Sequence, residues 1–184
     1  GEIMIICITG MRGAGKSSVA DILKKKGFAI FEMHDAIISE MKKRKLEINN
    51  ETMKEFAINI RKRLGPDIVA RKTYSMIRRS KNKNVVITGV RSDAELKYFK
   101  SHAKDIVVVS VSAPQKIRFM RLRKRKRSDD VKSMSAFLER EKAEKKLGIV
   151  SALNDADYII ANTGTMRDLK KNVDMLINKL EGKN

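Results

Sequence analysis

The 184-residue sequence predicts an α/β fold: a doubly wound, five-stranded parallel sheet carrying a helical insert and a basic lid, all in a single domain, 1–184. Three observations point there. An apolar run near the N-terminus ends in a glycine-rich loop that opens a helical pattern, short β-branched runs then alternate with helical segments, and the length supports one sizeable core. In such folds ligands bind at the carboxyl ends of the strands, so the chemistry is expected there.

Residues 2–9 are rich in Ile and Met, stop at Gly10, and read as a buried central strand. Helical spacing follows over 17–26 through Val19, Ile22 and Leu23, and Gly27 ends it. A second short strand over 28–33 completes a βαβ unit of about thirty residues, which makes the sheet parallel. The pattern is helical from 34 to 80, with Gly65-Pro66 separating two helices; Met53, Phe56, Ile60 and Leu64 share a face before the break, and Ile68, Tyr74 and Ile77 after it. The segment 36–80 is therefore a helical insert between strands. Val85, Val86 and Ile87 mark a third strand over 83–90, Ser92 is the expected N-cap of a helix over 92–100, and the valine-rich 105–112 is a fourth strand. Pro114 starts a very basic helix with Ile117, Met120 and Leu122. The polar break Ser128-Asp129-Asp130 separates it from a charged helix over 133–147, and 121–147 has the look of a lid. A fifth strand over 158–161, the loop Asn162-Thr163-Gly164 and a closing helix over 166–180 finish the chain.

Forty-one Lys and Arg against twenty-two Asp and Glu leave a net charge of +19, which draws nucleotides and nucleic acid. RNA is admitted as a partner by that charge, although the absence of Trp, with three Tyr and six Phe, gives no sign of a stacking platform. No apolar stretch nears the roughly 18 residues of a membrane span, and the apolar run 3–8 is too short for a signal peptide, so a cytoplasmic location is expected. Cys7 is the sole cysteine; it has no partner for an internal disulfide and sits in an apolar run, as a core residue does.

Gly10-Met11-Arg12-Gly13-Ala14-Gly15-Lys16-Ser17, followed by Ser18, fits G-x-x-x-x-G-K-[ST] between a strand and a helix. Glycines let backbone amides curl around phosphate oxygens, the helix N-terminus adds a positive end, Lys16 is suited to bridge the β- and γ-phosphates, and the Ser17 hydroxyl to ligate magnesium. The dinucleotide pattern G-x-G-x-x-G is not met, because Gly13-Ala14-Gly15 runs into Lys16-Ser17-Ser18. The guanine-reading N-K-x-D is missing as well, since Asn82-Lys83-Asn84 lacks the Asp. Adenine is favoured, so ATP with Mg2+ is the expected ligand.

With these motifs in order, nearly the whole chain resembles the P-loop nucleoside-monophosphate-kinase-like family, and within it an archaeal group related to adenylate kinase and dephospho-CoA kinase. The resemblance rests on the phosphate loop, on His34-Asp35, on Gly89-Val90-Arg91-Ser92, on Arg127-Ser128-Asp129-Asp130 and on 157–163. It implies transfer of the ATP γ-phosphoryl group to a nucleotide-type acceptor such as AMP, held by the insert 36–80. It also implies that Arg91 grips the acceptor phosphate, that Arg12, Arg121, Arg123 and above all Arg127 close over the transferring group, and that Asn162, Thr163 and Gly164 form the adenine-binding loop. Asp35 has three readings: a base for an acceptor hydroxyl, a magnesium residue acting through water, or a helix cap. His34 and His102 have no second ligand at metal spacing, and Lys124 and Lys126 read as solvated charge. One departure stands out: Thr88 occupies a position where related kinases often carry Asp. Two other functions stay open, transfer to a hydroxyl as in dephospho-CoA kinase, and a nucleotide-regulated RNA-binding protein.

Overall fold

In the computed structural model, which describes residues 3–125 and 133–182, five strands form one parallel sheet. The strands are β1 Met4–Thr9, β2 Ala29–Glu32, β3 Asn84–Thr88, β4 Asp105–Ser112 and β5 Tyr158–Ala161, in the order β2-β3-β1-β4-β5. Strand β1 is central and pairs on both sides, with Met4 opposite Asn84 of β3 and Asp105 of β4. Its carboxyl end therefore sits where the strand order reverses, the place at which open α/β sheets bind ligands.

Side chains of a strand point alternately to the two faces, and β1 is apolar from Met4 to Ile8 because both faces are covered, with the buried polar Thr9 at its carboxyl end. Ile5 and Cys7 join one core with Val85, Ile87, Leu96, Phe99, Ile77 and Ile60; Ile6 and Ile8 join the other with Val19, Leu23, Val109, Val111, Leu169 and Val173. The first face is covered by α2 Met33–Lys43, α3 Asn50–Leu64, α4 Ile68–Ser80 and α5 Asp93–His102, the second by α1 Lys16–Lys25 and α9 Met166–Glu181. Ser92 does cap α5, its hydroxyl accepting from the Glu95 amide at 3.3 Å. Beyond β4 come α6 Gln115–Arg125 and α7 Met134–Glu144, joined by a small core of Phe119, Leu122 and Phe137; a π-helical turn, Lys145–Ile149, and α8 Val150–Asn154 lead to β5. No helix among the described residues is long and apolar enough to cross a membrane.

Two sequence expectations need correction. The insert holds three helices, not two, because 44–49 is a second break: Lys45 takes φ +55, and Asn49 caps α3 in a capping box with Thr52. Asn three residues before Thr is a helix start in a segment that apolar spacing alone reads as continuous. The charged helix over 133–147 in turn ends at Glu144, where the π-helical turn begins.

Cys7 lies wholly inside the first core, and burial pushes its thiol up to about 12. Native protein is therefore expected to resist alkylation at neutral pH, with labelling by iodoacetamide followed by mass spectrometry appearing only as denaturant unfolds the chain.

Candidate functional site

The loop 10–17 joins the end of β1 to α1 and is shaped by what packs against it. Gly13 has φ +79, and a Cβ there would lie 2.6 Å from the Arg118 carbonyl oxygen, so α6 touches the loop where only glycine fits. At Gly15, φ +106, a Cβ would collide with Asn162 Nδ2. Gly15 is also the N-cap of α1 and makes no side-chain cap, so the first amides of α1 are left for an anion.

The carbonyl oxygens of the loop are held from behind. Arg121 donates to Gly13 O at 3.4 Å and Ala14 O at 3.3 Å, and to Asn162 O at 2.6 Å. Asn162 Nδ2 donates to Ala14 O at 2.8 Å, while its backbone amide donates to Ser112 O at 2.8 Å. Arg118, almost fully buried, donates to Arg12 O at 3.3 Å and Ala113 O at 3.0 Å, and pairs with Glu141 at 2.6 Å; Gln115 donates to the other Glu141 oxygen at 2.7 Å. A buried ion pair holds only when its remaining polar atoms are matched, as they are here. Helices α6 and α7 are thus tied to each other and to the phosphate loop.

In front of the loop opens a cavity of about 490 Å³, lined by Thr9, Gly10, Arg12, Lys16, Ser17, Ser18, Gly89, Arg91, Arg121, Arg125 and Glu144, among others. Lys16 donates to Gly10 O at 2.6 Å and Met11 O at 3.1 Å. Burial moves its ammonium from the ordinary 10.5 down to about 8; Glu144 opposes that shift, while Arg91, Arg12 and Arg118 add to it. Thr9 Oγ1 is buried on this wall without a hydrogen-bond partner among the described residues. The oxygens of Thr9, Ser17 and Glu144 are the hard donors that suit magnesium.

Arg12 and Arg91 both line the cavity. Ala14 is buried, and Met11 contributes its carbonyl to Lys16. Arg123 does not line the cavity and lies over the Phe119 ring at 5.9 Å. Helical phase explains this: Arg118, Arg121, Leu122 and Arg125 share the face toward the loop, and Arg123 is turned from it. Thr163 and Gly164 are exposed beside the capping box that Thr165 and Asp168 form at the start of α9, away from the cavity lining. Arg127, Ser128, Asp129, Asp130 and Lys126 lie outside the described residues, and Lys124 is exposed.

Asp35 is half-exposed in the first turn of α2, makes no cap hydrogen bond and does not line the cavity. The isolation expected for His34 is not what the fold produces. Its ring nitrogens face Glu32 at 3.0 Å and Asp35 at 3.3 Å, and the three ligand atoms fall within 4.8 Å of one another. Glu32 is the N-cap residue of α2 and Asp35 lies one turn on, so helix geometry brings them to the same histidine. His102 is exposed and stacked on Tyr98 at 4.0 Å.

Several residues escaped the sequence reading. Arg125 and Glu144 line the cavity, and Glu95, 1% exposed, joins the insert to the site by accepting from Arg61 of α3 at 2.8 Å and from the Arg91 amide at 3.0 Å. The Ser92-x-x-Glu95 capping-box pattern was a local signal for Glu95; for its partner Arg61, 34 residues away, there was none.

A family model described as AAA domain matches residues 6–146, and a UPF0200 protein of Pyrococcus horikoshii is 38% identical over 181 residues, 96% of this chain and 97% of that one. The chain belongs to the UPF0200 family and carries an AAA domain. Among solved structures, a shikimate kinase from Acinetobacter baumannii matches at TM-score 0.64 and 21% identity, covering 96% of this chain and 94% of that one. A dephospho-CoA kinase from Campylobacter jejuni matches at 0.58 and 16%, covering 98% of each chain. The UPF0200 chain thus has a P-loop kinase-like fold, in agreement with the resemblance noted from its motifs.

Two outcomes are expected. A bound phosphate favours charged Lys16 and raises its pKa, so nucleotide binding takes up a proton near and above about pH 8, and affinity weakens as pH rises through that value. Calorimetry at pH 7 and 8.5 in buffers of different ionisation enthalpy measures the uptake, which is larger at the higher pH. Gly13→Ala places a Cβ against the Arg118 carbonyl and is expected to cost about 1–3 kcal/mol of stability by denaturant titration, with loss of nucleotide binding.

Proposed function

We propose that this protein transfers the γ-phosphoryl group of ATP to a small nucleotide-type acceptor, with a nucleoside monophosphate such as AMP as the leading choice. The observation that carries the reading is that Lys16, after β1, and Arg91, after β3, line one cavity from adjacent strand ends. Donor and acceptor phosphates brought together there would meet Lys16, Arg12, Arg91, Arg121 and Arg125. Phosphoryl transfer depends on holding the reacting oxygens in line and on stabilising the charge that develops, and fixed guanidinium groups supply both.

In this reading the amides at the start of α1 and Lys16 hold the donor phosphates, and Ser17 ligates magnesium, which neutralises phosphate charge. Arg91 holds the acceptor phosphate. Its backbone is fixed by Glu95, and Glu95 is held by Arg61, so the insert that receives the acceptor also orients the group that grips it. Arg127 and the adenine-loop residues Asn162, Thr163 and Gly164 belong to the same proposal, Asn162 acting through its support of Ala14. The second reading, transfer to a hydroxyl, would take its base from Asp35, beside His34 in the first turn of α2 but outside the cavity lining, since a hydroxyl acceptor benefits from a base and an ionised phosphate does not.

The test is a transfer assay with Mg2+·ATP over nucleoside monophosphates, dephospho-CoA and water as acceptors. Transfer to a monophosphate is expected, with Lys16→Ala inactive and Arg91→Ala raising the acceptor KM about tenfold or more, the loss of one charge-assisted contact. Transfer to dephospho-CoA alone selects the second reading. No transfer to any acceptor, together with salt-sensitive RNA binding, refutes both.

A further inference from the structure

The transfer proposed above requires magnesium, and P-loop enzymes hold that ion between the loop hydroxyl and an acidic side chain. The residue that closes β3 is Thr88, which has no charge to offer. Asp35 does not line the cavity. Among the described residues that do, Glu144 is the only carboxylate, set among Arg12, Lys16, Arg91, Arg121 and Arg125.

Glu144 reaches this position from an unusual piece of backbone. It is the last residue of α7, at the junction with the π-helical turn Lys145–Ile149, and Ile149 lines the same cavity. Such wide turns within helices recur at functional sites because they re-aim the side chains around them. Thr9, whose Oγ1 is buried and without a partner among the described residues, lines the same cavity and could accept a hydrogen bond from a water of a hydrated cation. With a triphosphate bound, the cations are neutralised by phosphate oxygens and Glu144 faces those oxygens as a like charge. A divalent cation between them turns that repulsion into attraction.

We propose that Glu144 is the acidic ligand of the nucleotide-bound magnesium ion, directly or through one water, and replaces the acid that Thr88 lacks. The inference rests on the ATP reading above. It departs from a role for Asp35 in metal binding and gives the lid a part in reading the metal, since Glu144 rides on α7.

Binding of ATP is measured by calorimetry in EDTA and in Mg2+ for the full chain, Glu144→Gln, Glu144→Asp and Asp35→Asn, with circular dichroism to establish that each variant is folded. Mn2+ binding in the presence of ADP, followed by electron paramagnetic resonance, gives a readout of the metal itself. Glu144→Gln is expected to bind ATP in EDTA at least as tightly as the unsubstituted chain, since a like charge is removed, and to lose about tenfold or more of the gain that Mg2+ gives, with a matching loss in Mn2+ affinity. Glu144→Asp keeps part of that gain, and Asp35→Asn keeps all of it. If Glu144→Gln instead retains the Mg2+ gain, Glu144 is a counterion of Lys16 and the proposal is overturned. Loss of the gain in Asp35→Asn alone overturns it too, in favour of the Glu32, His34 and Asp35 group. Nucleotide binding by the unsubstituted chain with no Mg2+ gain, or with no effect of Glu144→Gln, refutes this inference and leaves the phosphate loop standing. No binding by the unsubstituted chain in either buffer refutes the ATP reading as well.

Discussion

A loop that wraps a phosphate must turn its amides inward, and its carbonyl oxygens then need partners elsewhere. In this chain that constraint organises everything around residues 10–17. Arg118 and Arg121 bring guanidinium donors to the carbonyls of Arg12, Gly13 and Ala14, and Asn162 adds its side-chain amide to Ala14. Three segments far apart in sequence, the loop, α6 and the end of β5, are joined by those bonds. Because Arg118 also pairs with Glu141, α7 is drawn into the same assembly. A buried guanidinium is held only where most of its donors are matched, so this region specifies its own geometry.

The cavity in front of the loop concentrates positive charge that a folded chain would otherwise keep apart. Its cost is visible at Lys16, whose ammonium sits in a poorly solvated place among arginines and is the easier to deprotonate for it. Glu144 eases that crowding. Under the proposed function, phosphate oxygens would balance that charge. The excess of basic residues in the composition has a local meaning here, although most of the Lys and Arg residues lie elsewhere on the surface.

Much of the fold was legible because its signals are local. The strand–loop–helix opening, the valine runs of β3 and β4, the Ser92 cap and the amphipathic α9 are each written within a few residues. The division of the insert was less legible, since apolar spacing runs through 44–49 and only the Asn49 cap interrupts it. Within the site, Lys16, Ser17 and Arg91 announce themselves by motif or by position after a strand. The arginines of α6 do not. Which of Arg118, Arg121, Arg123 and Arg125 face the loop depends on the rotation of the helix about its axis, and a run of basic residues carries little apolar contrast from which to read that rotation. Glu144 depends on how the end of α7 is laid against the cavity, and the Glu95–Arg61 contact on α3 bringing Arg61 to the first turn of α5. These are tertiary facts, and no window of sequence contains them. His34 was misjudged for a nearer reason: Glu32 was not weighed as its neighbour, although one turn of α2 brings both Glu32 and Asp35 to it.

The central placement of β1 has a thermodynamic consequence. Four consecutive side chains, Ile5 to Ile8, are essentially without exposure, and the strand is bonded to neighbours on both edges. The loop that begins one residue after Thr9 is therefore anchored on a strand that opens only with the core, since buried central strands exchange at the global stability while more exposed elements open at lower free energy. Any anion that settles into the loop therefore shifts the global unfolding equilibrium in proportion to the logarithm of its concentration, and binding and cooperative stability become one measurement.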